Sequence, residues 1–277
     1  MNIQILGSGG GEGYPALFCN CRHCMAARQA GGKSIRSLSQ TLVDGKLLID
    51  LPVDTPAHFR QGGIRFGDIE NLLITHVHDD HYCPNLFSTR GTDFAPVMAV
   101  QQLHVYGNAD VERLFNGYYE LFPIREEIRR EILFHTLMPY QSERIGAYRV
   151  TPLKANHAPE QTALNYIIDD GKSALLYLLD SGFPTEETLA FLGAYPRKFD
   201  CVVMDGTMGF SYYVYHMNFQ QNMELKNRLL GMGAVDEKTR FVVAHITHNH
   251  APLHEEIEAY FRGSGIEIAC DGIAIDF

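Results

Sequence analysis

No apolar run in this sequence reaches the roughly 18 residues that a helix needs to cross a bilayer. The opening stretch, Met1-Asn2-Ile3-Gln4-Ile5-Leu6-Gly7, is a short strand running into glycines, without the basic start and longer apolar core of a secretory signal. There is no basic stripe either. The formal net charge is −10, and segment 125–131 mixes both signs like a solvated helix face, so nucleic acid is not expected as the main partner. Cysteine is sparse: six in 277 residues do not make a disulfide framework. These absences point to a cytoplasmic protein without membrane contact. What is present is ordinary globular material, 45% hydrophobic and 20% charged, enough for a sizeable core.

Strand-like runs recur at 3–6, 40–43, 47–50, 72–75, 97–105, 148–153, 164–168, 174–179, 201–204, 241–245 and 266–269. Two hairpin turns are expected, at Asp44-Gly45 and Asp170-Gly171, where positive φ suits Asp and Gly. Helical periodicity falls at 54–61, 110–132, 185–192, 218–230 and 252–262; in the last, Leu253, Ile257 and Phe261 share the apolar face. Strand meanders interrupted by helices, without strict alternation, predict an α+β fold of two mixed sheets with helices outside. No repeat, low-complexity tract or linker divides 1–277. One domain is expected, with 107–140 as an accessory helical region.

The chemistry concentrates in Ile74-Thr75-His76-Val77-His78-Asp79-Asp80-His81. His76, His78, Asp80 and His81 form an H-x-H-x-D-H pattern, with four ligating side chains in six positions. Imidazole and carboxylate suit a divalent ion such as zinc or manganese. The apolar run before the motif reads as a buried strand, which can empty into a loop that aims several ligands at one point. Three further strand-like runs end in a candidate ligand: His157, Asp180 and His245. Five His and two Asp exceed what one tetrahedral ion can use but suit two ions sharing a carboxylate.

These residues resemble the metallo-β-lactamase superfamily, an αββα four-layer sandwich with a dinuclear site at one edge of its sheets. The resemblance implies that His76, His78 and His157 hold one metal, that Asp80, His81 and His245 hold the second, and that Asp180 bridges them. It also implies a bracing role for Asp50 beneath the ligand loop, although Leu51-Pro52 stands where the family usually has a small residue.

A second set of ligands lies in Cys19-Asn20-Cys21-Arg22-His23-Cys24. Three thiols within six residues suit a metal better than disulfides. A closed zinc site needs a fourth ligand. His23 sits inside the same turn; His248, three residues past His245, is better placed, and His250 and His254 are weaker candidates. The glycine run 7–13, the C-x-C-x-x-C, the His245-Ile246-Thr247-His248 segment and the closing Asp271-Gly272 resemble one subgroup of the family. It is the cyclic phosphodiesterase of the bacterial carbon–phosphorus lyase pathway, which opens phosphoribosyl 1,2-cyclic phosphate. That resemblance implies structural zinc on Cys19, Cys21, Cys24 and His248, and a phosphate-contacting His at His216, in Tyr215-His216-Met217-Asn218. The glycine run lacks the layout of a phosphate-binding P-loop.

His23, His58, His104 and His135 read as surface or satisfied residues, and Cys83, Cys201 and Cys270 as small buried hydrophobes. The aromatic cluster 210–215 walls a pocket, fills core or meets a second copy in a homodimer. Two ions a few ångströms apart would bring a bridging water's pKa toward neutrality, with Asp80 as a proton relay and His216 as a phosphate contact or general acid. The expectation is a metal-dependent hydrolase, a phosphodiesterase acting on a small phosphate ester, cyclic esters included. Its cofactors would be two divalent ions (zinc or manganese, with nickel as a third candidate) and one structural zinc. Two other readings remain: a ribonuclease of the same fold, and a non-catalytic relative resembling the pyrroloquinoline quinone biosynthesis accessory protein.

Overall fold

The computed structural model describes residues 1–91 and 93–277. One sheet takes β1 (Asn2–Gly7), β2 (Gln40–Val43), β3 (Leu47–Ile49), β4 (Asn71–Leu73), β5 (Leu103–Gly107) and β6 (Ile132–Thr136). The other takes β7 (Glu143–Ile145), β8 (Tyr148–Lys154), β9 (Leu164–Asp169), β10 (Ala174–Leu178), β11 (Cys201–Asp205), β12 (Arg240–Ala244) and β13 (Ile266–Ile268), and β14 (Ile273–Asp276) returns to the first. The spatial orders are β14-β1-β2-β3-β4-β5-β6 and β13-β12-β11-β10-β9-β8-β7. Each sheet is antiparallel from one edge to its fourth strand and parallel beyond it.

Alternation along the central strands explains the layering. In β10 and just after it, Leu175, Tyr177 and Leu179 face the gap between the sheets. Ala174, Leu176 and Leu178 face the outer helices. A strand buried on both faces reads as one apolar run, which is how Ala174–Leu178 reads in the sequence. The outer layers are α1 (Arg22–Ala30), α2 (Thr55–Gly62), α3 (Ala109–Leu121), α4 (Glu126–Arg130), α5 (Glu186–Ala194), α6 (Phe219–Gly231) and α7 (His254–Phe261). The second sheet packs on α5, α6 and α7 through Leu189, Leu225 and Ile257; the first packs on α2 and α3 through Phe59 and Phe115. The α+β reading as a four-layer αββα sandwich therefore holds.

Three expectations are corrected. The helix expected over 110–132 is two helices, because Phe122-Pro123 interrupts it: proline lacks the N–H and clashes with the preceding turn. Region 107–140 is not a helical appendage. Its α3 and α4 form the crossover from β5 to β6, which pairs in parallel with β5 as the edge of the first sheet. The strand expected at 97–105 begins only at Leu103. At Asp44-Gly45 both residues take positive φ, 47° and 67°, in the three-residue loop between the paired Val43 and Leu47 of the β2–β3 hairpin. Among the described residues no helix is long and apolar enough to cross a membrane.

Candidate metal centre

Four candidate ligands and the bracing Asp50 lie just past the ends of strands: Asp50 after β3, His76 after β4, His157 after β8, Asp180 after β10 and His245 after β12. That edge is where open α/β sheets place their sites. Three of these residues turn the chain sharply, with φ of 66° at Asp50, 49° at Asp180 and 60° at His245. Such left-handed geometry costs a non-glycine residue about 1–3 kcal/mol and persists where the surroundings over-determine it. Here it swings each side chain toward one point.

His76, His78, His157 and Asp180 converge. His76 Nε2 lies 2.9 Å from His78 Nδ1, and His157 Nε2 3.2 Å from the same atom. Asp180 Oδ2 is 3.0 Å from His76 Nε2 and 3.2 Å from His157 Nε2. A second set comprises Asp80, His81, His245 and again Asp180. His81 Nε2 is 3.2 Å from Asp80 Oδ2, 3.2 Å from His245 Nε2 and 3.3 Å from Asp180 Oδ2. Donors around a tetrahedral zinc with bonds of about 2.0–2.1 Å sit about 3.3 Å apart. The two sets meet at one oxygen, Asp180 Oδ2.

The outer ring nitrogens decide what the inner ones can do. His81 Nδ1 donates to Asp50 Oδ2 at 2.8 Å, His157 Nδ1 to the Tyr215 carbonyl at 3.2 Å, and His78 Nε2 to Glu160 at 3.2 Å. His76 Nδ1 meets Thr75 Oγ1 at 3.1 Å, and His245 Nδ1 meets Thr207 Oγ1 at 2.7 Å, both hydroxyls being committed as donors to Asp50 and Asp205. With outer protons so placed, each neutral ring turns the lone pair of its inner nitrogen toward the shared centre. Neutral imidazoles fixed by such partners are what a divalent ion takes. The charges agree. Burial and neighbouring His81 push His76 down to about 4. Burial would also lower His245, but Asp180, Asp205 and Asp80 outweigh it and bring the ring up to about 10. Burial opposes ionisation of Asp180 too, yet the surrounding rings hold it well below the usual carboxylate range.

His216 stands against this cluster, its Nδ1 3.0 Å from Asp180 Oδ1 and 3.8 Å from Asp205 Oδ2. Asp180 Oδ1 and His216 Nδ1 are both buried without a well-formed hydrogen bond. Burial lowers the His216 ring, but the contacts to Asp180 and Asp205 more than offset it. Asp205 was not anticipated. It ends β11 much as Asp180 and His245 follow their strands, and the apolar Cys201–Met204 run before it was the available signal. Of the aromatic cluster, Tyr213 stacks on His216 at 6.0 Å between ring centroids, while Tyr212 is 70% exposed. An open cleft of about 920 Å³ lies beside His157 and Glu160, lined also by Lys154, Gln161, Thr185 and Tyr215.

Cys19, Cys21, Cys24 and His248 also come together, their donor atoms all within 4.8 Å of one another. The Cys segment is not a plain turn: Cys21 caps α1, and its Sγ accepts from Cys24 N–H at 3.4 Å. That bond, opposed by burial and joined by His248 at 3.4 Å, brings the Cys21 thiol down to about 6. His23 turns to the His248 carbonyl, and His254 to Arg36 and Glu258, so neither joins the set. The glycine run explains itself here. Gly10 lies against the segment carrying both His245 and His248, where a Cβ would come within 2.7 Å of Thr247 Cγ2 and 3.2 Å of the His245 ring. It is a close-approach loop, not a phosphate cradle. Cys21→Ser is expected to remove about one equivalent of bound metal and lower Tm; elemental analysis and a thermal melt check both.

A four-layer αββα sandwich carrying two His/Asp donor sets at its sheet edge defines a metallo-β-lactamase-fold protein of a hydrolase family. The chain belongs to the β-lactamase superfamily: residues 46–246 match the family described as the beta-lactamase superfamily domain. Along almost its whole length it is similar to coenzyme PQQ synthesis protein B of Klebsiella pneumoniae (strain 342), 24% identical over 99% of this chain and 98% of that one. Among solved structures it resembles a diphosphatase from the PhnP family, with a TM-score of 0.76 and 21% identity over 100% and 97% of the two chains. It also resembles Zn(2+)-bound PqqB from Methylobacterium extorquens, with a TM-score of 0.72 and 18% identity over the whole of both chains.

Proposed function

We propose that this chain is a dinuclear metal-dependent phosphodiesterase acting on small phosphate esters, cyclic ones included. The observation that carries this reading is Asp180 Oδ2, within 3.3 Å of donors from both sets. His76, His78 and His157 would hold one ion, and Asp80, His81 and His245 the other, as zinc, manganese or nickel; the three thiols and His248 would hold structural zinc. A bound pair supplies Lewis acidity toward phosphoryl oxygens and a lowered pKa for water in an in-line displacement. The chain's own groups do the rest. Asp50, Glu160 and the Tyr215 carbonyl fix which ring nitrogens face inward. Asp80, buried beside the inner nitrogens of His81 and His245, relays a proton. His216, whose Nδ1 faces Asp180 at 3.0 Å, keeps its other ring nitrogen for the phosphate or the departing alkoxide.

The net charge of −10 weighs against a ribonuclease, and a small phosphate ester is the partner this reading expects. The near full-length similarity to coenzyme PQQ synthesis protein B supports a second reading, an accessory protein that binds metal without turnover. A panel of cyclic and linear phosphodiesters, each tried with zinc, manganese and nickel, separates the two. Cleavage of small diesters is expected, whereas full metal content with no turnover on any member would favour the accessory reading.

A further inference from the structure

The closing Asp271-Gly272 has no part in the site described so far, yet its carboxylate accepts four hydrogen bonds beside it. Asp271 Oδ1 accepts from Ser8 N at 2.8 Å and Ser8 Oγ at 2.7 Å; Oδ2 accepts from Ser37 N at 2.7 Å and Ser37 Oγ at 2.5 Å. It thereby ties together two segments distant in sequence. The buried Arg36 guanidinium reinforces the knot, donating to Ser8 Oγ at 2.8 Å and to the Ala269 carbonyl at 2.6 Å.

What the knot holds is the floor under His245. Gly9 N donates to the Ser37 carbonyl at 2.8 Å, Ile246 N to the Ser8 carbonyl at 3.0 Å, and Gly10 N to the Ile246 carbonyl at 3.1 Å. Residues 8–10 are therefore stitched on one side to 36–39 and on the other to the residue after His245. A Cβ added at Gly10 would come within 3.2 Å of the His245 ring, and one at Gly11 within 3.5 Å of Asp80 Oδ2, so the loop runs close beneath both. The first donor set rests on other supports, Thr75, Glu160 and the Tyr215 carbonyl.

We propose that Asp271 is a positioning residue for the half of the metal centre formed by Asp80, His81 and His245, acting through the Ser8–Gly10 loop. This rests on the two-ion reading above. In Asp271→Asn one acceptor oxygen becomes an NH2 group, which cannot accept from the backbone N–H and hydroxyl it now faces, so one side of the clamp opens.

Chelator-stripped protein is titrated with zinc(II) alone against a chromophoric competitor. Wild type is expected to fill both halves of the His/Asp centre; if it does not, the two-ion reading fails, whatever Asp271 does. In Asp271→Asn one of those two equivalents is expected to bind about 10–100-fold more weakly, the range for lost outer-layer partners of metal ligands. The other equivalent should be unchanged. Ser37→Ala, which removes the hydroxyl bonds to Asp271 and His58 but keeps the Ser37 N–H bond to Asp271, should shift the same equivalent in the same direction and serves if Asp271→Asn does not fold. Ile168→Val, a core change between the sheets, controls for a purely structural role by lowering Tm with zinc affinity untouched. Wild-type affinity for both equivalents in a folded Asp271→Asn, or equal weakening of both, overturns the proposal. With Ser37→Ala as the only folded variant, unchanged affinity overturns it.

Discussion

Replacing Asp180 with alanine is expected to abolish phosphodiester turnover and to cost the protein metal as well. The side chain is 3% exposed, and its Oδ2 is the one atom that both donor sets share. Alanine removes a ligand from each set at once and leaves five inward imidazoles with Asp80 as the sole remaining carboxylate among the seven donors. Losing a bridging ligand differs from losing one at the rim, because both ions lose affinity and their fixed separation is lost. Elemental analysis beside turnover of bis-p-nitrophenyl phosphate tests this. Full activity in Asp180→Ala would exclude the two-ion mechanism.

His216→Ala is expected to act differently. The ring lies 3.0 Å from Asp180 through Nδ1 but belongs to neither of the two sets that meet at Asp180 Oδ2. Metal content should therefore survive its loss. A positioned general acid contributes about 10²–10⁴-fold, so kcat should fall by that factor on a substrate with an alkoxide leaving group. With p-nitrophenolate, which departs with little protonation, the part due to acid catalysis should shrink. An equal and large loss on both substrates would make His216 a phosphate contact, and no loss on either would remove it from the chemistry.

The ligands were legible because their spacing is local. H-x-H-x-D-H puts four donors into six positions, Asp180 and His245 end apolar runs, and His157 follows a strand-like one, so strand and site announce each other. The supports were less legible because they depend on register between segments far apart. Nothing local to Thr207 or Glu160 says that they face His245 and His78; parallel pairing of β11 with β12 and the loop after β8 bring them there. Asp205 was within reach, since it repeats the strand-then-acid pattern of Asp180. The missed elements have their own reasons. Arg22–Ala30 is polar on most of its surface, with only Cys24 and Ala27 buried. Ile273–Asp276 alternates burial weakly along four residues, too short to register as a period. Helix 110–132 was overextended because apolar periodicity continued past Phe122-Pro123, where backbone chemistry overrode it.

The central claim is that hydrolysis requires both halves of the His/Asp centre. Metal titration of chelator-stripped protein, followed by bis-p-nitrophenyl phosphate turnover at each addition, tests it most directly. Three equivalents per chain are expected, one of them taken by the thiolate site without activity, and turnover should appear only as both equivalents of the His/Asp centre fill. Full turnover in stripped protein, or none at any loading of zinc, manganese or nickel, would contradict the account.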